Sequence, residues 1–259
     1  MENLVAPAIH QPHGFLSNDV RIWIIGHKGY LGSHLFQHFV RLGCQFSEID
    51  PRVTDINAIG ISPNDLVIDC IRIKNFDLPS LIQDQKLLIA VLKRIARTNT
   101  PYIRIGSTLE LEEGVPVSPY IEWSRSRTQL INESLESKNS SVVLVPNVFG
   151  GSGSPSVVDR LLSAALAGED FHLENPGATR DFLAMDIFLS SIQNHISSDL
   201  NSSSHTFVIT CGNKYEVGSI QEYIQSHKLI LLKSQPIEYP NIFKITIVSD
   251  LLPEYLKRY

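Results

Sequence analysis

Short β-branched runs alternate with amphipathic stretches along much of this chain. Arg21 to Ile25 (RIWII) is an apolar run that stops at a glycine cluster, and the residues after it put Leu31, Leu35, Phe36, Phe39 and Val40 on one helical stripe. Strand, tight turn and helix follow from that pattern. A second short strand, CQFSEID, ends at Asp50, and DLVIDCI (Asp65 to Ile71) is a third apolar run. QKLLIAVLKRIA then has helical periodicity, and YIRIG (Tyr102 to Gly106) returns to a strand pattern. A helix is expected after Pro119, a strand over SVVLV (Ser141 to Val145), a helix through VVDRLLSAALAG and a strand at FVIT near Phe207. Strands that alternate with helices predict a parallel sheet covered on both faces. No fixed-period repeat interrupts the pattern, and SSDLNSSS (Ser197 to Ser204) is read as a solvated loop.

Composition narrows this picture. With 259 residues, 43% of them hydrophobic and 19% charged, the chain can bury a large core, which excludes a disordered protein. A net charge of −5 with scattered cations argues against a nucleic-acid or anionic-membrane surface and favours small-molecule chemistry in the cytoplasm. The three cysteines, Cys44, Cys70 and Cys211, are odd in number and far apart, so they are expected as packed thiols rather than disulfides or a zinc site. The histidines show no metal-ligand spacing, and no metal is expected. The longest apolar run, LLIAVL (Leu87 to Leu92), is closed by Lys86 and Lys93, far short of the ~20 residues of a membrane span. Residues 1–19 lack the layout of a secretory signal and read as a loose arm.

The glycine cluster carries the clearest chemistry. Gly26-His27-Lys28-Gly29-Tyr30-Leu31-Gly32 has the spacing G-x-x-G-x-x-G between a strand and an amphipathic helix. Glycines there allow a tight turn, let the backbone approach a pyrophosphate and free helix N-terminal amides for the anion. Asp50, eighteen residues past Gly32 at the end of the second strand, is placed to accept from an adenosine ribose and so points to NAD. His27, Lys28 and Arg52 offer cations where a 2′-phosphate would lie, so the sequence supports NAD(P)(H) without separating NAD from NADP.

Several ordered segments between Arg21 and Ile224 resemble the extended short-chain dehydrogenase/reductase family of NAD-dependent epimerases, dehydratases and 4-keto reductases. They are IIGHKGYLGSHL, IGSTLELEEG, SPYIEWSR, VPNVFGGSG, GATRDFLAMDI and FVITCGNKYEVGSIQEYI. The GHKG turn is most similar to members that reduce keto sugars, which mostly use NADP. The resemblance implies a doubly wound α/β (Rossmann) domain over 20–146, rejoined by 186–212, with a small C-terminal substrate lobe from 147–185 and 213–259. It implies an oxidoreductase acting on a nucleoside-diphosphate sugar in polysaccharide or glycoconjugate synthesis, and a homodimer through the helix that carries the tyrosine.

By the same resemblance, Thr108, preceded by Ser107, binds the oxygen of the reacting carbon and Tyr120 is the acid/base. A phenol ordinarily ionises near pH 10, so this chemistry needs a positive charge beside it. The family places a lysine four residues after the tyrosine, and here that residue is Ser124, with Arg125 one step farther. On a regular helix the extra residue turns Arg125 about 100° off the shared face. A π-bulge or a helix beginning after Tyr120 would bring it back, and the resemblance then implies Arg125 as an imperfect catalytic substitute for the lysine. Asn147 and Arg180 match a sugar-nucleotide contact and a diphosphate clamp, the latter suited to a guanidinium fork. The plain readings are a packed tyrosine at a helix start, loop hydroxyls at Ser107 and Thr108, and an Arg180–Asp181 surface pair. Leu109 stands where dehydratases carry an aspartate, which argues against dehydration, and ELEEG (Glu110 to Gly114) reads as a solvated acidic loop. The alternative to an enzyme is a catalytically impaired NAD(P)-binding sensor or partner subunit.

Overall fold

The computed structural model describes residues 20–49, 58–112, 118–135, 140–198, 206–226, 234–237 and 244–257. The arm at 1–19, Asp50 and Arg52 lie outside the described residues. The chain order is β1 (Arg21–Ile25), α1 (Tyr30–Arg41), β2 (Gln45–Ile49), β3 (Leu66–Asp69), α2 (Leu78–Thr98), β4 (Tyr102–Ser107), a single 3₁₀ turn at Thr108–Leu111, α3 (Pro119–Ser134) and β5 (Ser140–Val145). It continues with β6 (Asn147–Phe149), α4 (Val157–Ala167), β7 (Thr179–Ala184), α5 (Met185–Ser198), β8 (Thr206–Thr210), β9 (Asn213–Glu216), α6 (Val217–Ser226), β10 (Ser234–Pro236), β11 (Lys244–Ile247) and α7 (Leu252–Leu256).

Seven strands form a parallel sheet in the order β2-β1-β3-β4-β5-β8-β11. This is the doubly wound α/β arrangement, and its order reverses between β1 and β3, where the crevice beyond the strand ends is the usual place for a ligand. β1 shows why both faces are covered: Ile22 and Ile24 join one core layer with Leu35, Phe39 and Phe188, while Trp23 and Ile25 join the other with Val91, Ile95 and Ile131. Helices α1 and α5 thus cover one face and α2 and α3 the other.

A second sheet, β10-β9-β7-β6, with a third core around Phe149, Phe182, Leu161 and Ile220, forms the small C-terminal lobe. One boundary differs from the sequence reading. Lys244–Ile247, assigned there to the lobe, pairs in parallel with β8 and is the seventh strand of the main sheet. A strand added there covers the backbone donors and acceptors that β8 would otherwise leave at an open edge.

Local signals fix the helices that frame the crevice. Asp77 accepts from Ser80 N at 2.8 Å and Pro79 occupies the first turn, so α2 starts at Leu78, seven residues before the periodic stretch QKLLIAVLKRIA. Asn99 closes α2 in the left-handed conformation. Ser118 and Pro119 do the same work at the start of α3. No helix among the described residues is long and apolar enough to cross a membrane.

Candidate active site

The crossover from β1 to α1 brings the three glycines together as the spacing implied. Gly26 has φ +81°, and a Cβ there would lie 3.0 Å from the carbonyl of Cys70, in the segment after β3. A Cβ on Gly32 would stand only 2.3 Å from the Gly26 oxygen. Gly29 N donates to Gly26 O at 2.9 Å, closing the turn. No side chain caps α1 and no acid sits in its first turn, so its leading amides are left for an anion at the positive end of the helix dipole. The turn therefore fits a dinucleotide's pyrophosphate: backbone approaches backbone where any side chain would intervene.

The other turn residues are each committed. His27 Nε2 lies 3.0 Å from Glu48 Oε2 on β2, and His27 Nδ1 is buried with no hydrogen-bond partner among the described residues. Lys28 is exposed, and Leu31 packs half-buried against the core. Tyr30 donates its hydroxyl to Gly150 O, and burial pushes its pKa up to about 12. His34 Nε2, one turn on, lies 3.1 Å from Ser152 O. The Gly150–Gly153 loop is thus strapped to the start of α1, and its far side is held by Asp159, which accepts from Gly150 N (2.8 Å), Ser154 Oγ (2.5 Å) and Tyr255 OH (2.7 Å).

Ser107 and Thr108 end β4 and open the 3₁₀ turn, with Ser107 Oγ accepting from Leu109 N. Behind them lies a buried polar group that the sequence reading missed. Glu110, read as part of a solvated loop, is 8% exposed, because its carboxylate is held from four sides. Arg104 Nη1 donates to Oε1 at 3.0 Å, Ser124 Oγ to Oε1 at 2.6 Å, Thr128 Oγ1 to Oε2 at 2.6 Å and Ser107 N to Oε1 at 3.0 Å. Burial opposes its ionisation, but the Arg104 guanidinium and these donors outweigh it and hold the carboxyl below its usual range. Arg104 Nη2 also donates to Ser124 Oγ at 2.7 Å. Ser124, four residues after Tyr120, is therefore a sealed structural residue, 1% exposed.

A second buried layer continues along the same face of α3. Arg127 donates to Asp84 (2.8 and 2.6 Å) and to Asp69 (2.5 Å). Tyr102 OH donates to Asp69 at 2.7 Å and Trp123 Nε1 to Asp84 at 2.8 Å. Burial alone would lower the Arg127 pKa, but the two carboxylates raise it, so it stays charged; burial and then Asp69 push the Tyr102 phenol well up.

Helix α3 is α-helical from Pro119 to Ser134, so neither a π-bulge nor a late start returns Arg125 to the face of Tyr120. Arg125 instead donates from Nε to Glu110 O (2.8 Å) and from Nη2 to Glu112 O (2.7 Å). Tyr120 is half-buried, its ring 6.2 Å from Phe76 and 5.9 Å from Trp123. The guanidinium carbon of Arg72 lies 5.0 Å over that ring.

On the lobe side, exposed Asn147 donates to Asp181 O at 3.4 Å. Arg180 donates to Thr179 O at 2.7 Å. The expected Arg180–Asp181 surface pair does not form: the Asp181 side chain turns inward, accepts from Thr210 Oγ1 at 2.6 Å, and burial raises its pKa to about 6. Lys214 of β9 reaches Glu112 at 2.8 Å, tying the lobe to the segment after β4. Among the described residues no cluster of His, Cys, Asp and Glu could hold a metal ion. Cys211 is buried and Cys44 and Cys70 half-buried, all three as free thiols.

No protein-family model and no characterised protein sequence matches the chain. Solved structures do. UDP-N-acetylglucosamine 4-epimerase from Bacillus cereus superposes with a TM-score of 0.64 at 15% identity, over 92% of this chain and 90% of that one. The fold is that of the nucleotide-sugar epimerases and dehydratases. An NAD-dependent NDP-hexosamine 5,6-dehydratase of tunicamycin biosynthesis gives 0.65 at 16% identity, over 90% and 89% of the two chains. A GDP-L-fucose synthetase from Naegleria fowleri bound to NADP gives 0.62 at 15%, over 82% and 79%. Within this fold, Gly26–Gly32 stands at the first crossover, and Tyr120 lies in the first turn of α3.

Proposed function

We propose that this chain is an NAD(P)(H)-dependent oxidoreductase, a 4-keto reductase or epimerase, acting on a nucleotide-linked sugar. The observation that carries the reading is the glycine cradle at the sheet's switch point, where a Cβ on Gly32 would collide with the Gly26 carbonyl beneath an uncapped helix start. Gly26, Gly29 and Gly32 admit the pyrophosphate, and the His27–Glu48 pair stands at the end of β2 that would face the adenosine. The nicotinamide, when bound, takes or gives the hydride. Thr108 holds the oxygen of the reacting sugar carbon, and Tyr120 moves the proton on that oxygen as the carbon is oxidised or reduced. Arg180 clamps the diphosphate and Asn147 shapes the sugar-nucleotide side. A homodimer through α2 and α3 belongs to the same proposal, supported by the exposed Leu78 and Ile82 on α2.

The test is calorimetry with NADH and NADPH, followed by cofactor turnover with UDP-, GDP- and dTDP-linked sugars and their 4-keto forms. Binding with turnover that Tyr120→Phe abolishes supports the enzyme. A second reading, dinucleotide binding without turnover, draws on the fact that Ser124 and Arg125 are both engaged elsewhere. Binding of either cofactor with no turnover of any sugar selects it, and no binding at all refutes both.

A further inference from the structure

We propose that Arg72, from the loop after β3, supplies the positive charge that acts on the Tyr120 phenol, in the role the resemblance gives to a lysine on α3. The inference deepens the proposed function, since it names a positioning residue of the same site.

Three observations converge on Arg72. Its guanidinium carbon lies 5.0 Å from the centroid of the Tyr120 ring, a distance at which a cation is attracted to an aromatic face and favours negative charge on the group it covers. The cations of α3 that could compete are engaged elsewhere: Arg125 with the carbonyls of Glu110 and Glu112, and Arg127 with Asp69 and Asp84. The third is the anchoring of both partners. Asp69, fixed by Arg127 and Tyr102, accepts from Ile71 N at 2.9 Å and so sets the backbone next to Arg72. Phe76 meets the Tyr120 ring edge-on, and Trp123 packs tilted against it.

The loop that carries Arg72 is also the one packed on the dinucleotide turn. A Cβ on Gly26 would meet Cys70 C and O at 3.0 Å and Ile71 N at 3.2 Å. Arg72 therefore follows directly on the backbone that packs against the glycine turn, and its exposed side chain reaches the Tyr120 ring. The charge arrives from the sheet side of the crevice, along β3, instead of from one turn farther along the tyrosine's own helix. A guanidinium stays charged at any working pH, so this arrangement polarises the phenol without sharing its proton.

The experiment reads Tyr120 directly. Tetranitromethane reacts with phenolate, so the rate of nitration at Tyr120, followed by peptide mass spectrometry on the intact chain at pH 8, reports how readily that phenol ionises. Arg72→Ala is expected to slow nitration of Tyr120 by about two- to fivefold, the scale of an exposed cation over an aromatic face, while Arg72→Lys retains most of the wild-type rate. Arg97→Ala, an exposed cation in the last turn of α2, should leave it unchanged. Loss of mere coverage acts in the opposite direction, because removing the guanidinium uncovers the ring. An unchanged or faster Tyr120 nitration in Arg72→Ala overturns the proposal. Calorimetry with NADH and NADPH on the same proteins keeps the two questions apart: a wild type that binds neither cofactor refutes the proposed function, while the nitration ratio still decides the role of Arg72.

Discussion

Placing a lysine four residues after Tyr120, by Ser124→Lys, is expected to unfold this site and create no activity. Ser124 is 1% exposed, and its hydroxyl sits between Arg104 Nη2 at 2.7 Å and Glu110 Oε1 at 2.6 Å. An ammonium in that space meets one cation and one anion, so its Coulomb terms largely cancel and its lost hydration remains, a cost of several kcal/mol. The longer side chain adds about 1–3 kcal/mol of overpacking. The sum is roughly 5 kcal/mol, comparable with the whole stability of many domains. Ser124→Ala calibrates the scale: it removes hydrogen bonds to charged groups at no cost in volume and should lose about 2 kcal/mol. Urea unfolding followed by circular dichroism measures both, with the Lys variant expected to lose its cooperative transition or to show a midpoint well below that of Ala. A Ser124→Lys protein with a wild-type midpoint, or one that turns over a nucleotide sugar faster than wild type, would refute the reasoning.

Three further expectations rest on single groups. Gly32→Ala should abolish NADH and NADPH binding in calorimetry and lower the urea midpoint, because its Cβ would lie 2.3 Å from the Gly26 oxygen. Arg127→Met should cost about 3–5 kcal/mol in the same unfolding assay, since it leaves the Asp69 and Asp84 carboxylates buried without their cation. Asp181 has a folded pKa near 6, above the roughly 3.9 of an unfolded aspartate, so the folded state binds the extra proton. Stability should therefore fall by about 2 kcal/mol as pH rises from 4 to 6, with little further loss above pH 7. Asp181→Asn should remove that fall, and a wild type equally stable at pH 4.5 and pH 7 would count against the buried carboxyl.

The sheet, the glycine turn and the start of α3 were legible because each leaves a local mark. RIWII ends in glycines, and Ser118-Pro119 announces a helix from two adjacent residues. The segment at Lys244 was not, since joining β8 depends on a partner more than thirty residues away. The polar layer under α3 was hidden for a related reason. Arg104 lies inside a strand pattern and Glu110 inside an acidic stretch, and only the fold brings them within 3.0 Å. Arg127, Asp84 and Asp69 come from three separate elements, and no spacing in the sequence records their meeting. Arg72 left no mark in the sequence, because no spacing links it to Tyr120 and only the fold sets the loop after β3 over that ring.

The charged layer beneath α3 has a mechanical consequence. Helices seated on aliphatic side chains alone can roll or slide by a few degrees at small expense, because one methyl contact replaces another. Helix α3 has no such freedom: Ser124 and Thr128 are fixed on Glu110 and Arg104, Arg127 on Asp84 and Asp69, and a rotation that preserved one bond would break the rest. The azimuth of Tyr120 is thereby dictated from as far as eight residues downstream, so an insertion within that span would swing the phenol away from Arg72 before it touched any residue of the crevice.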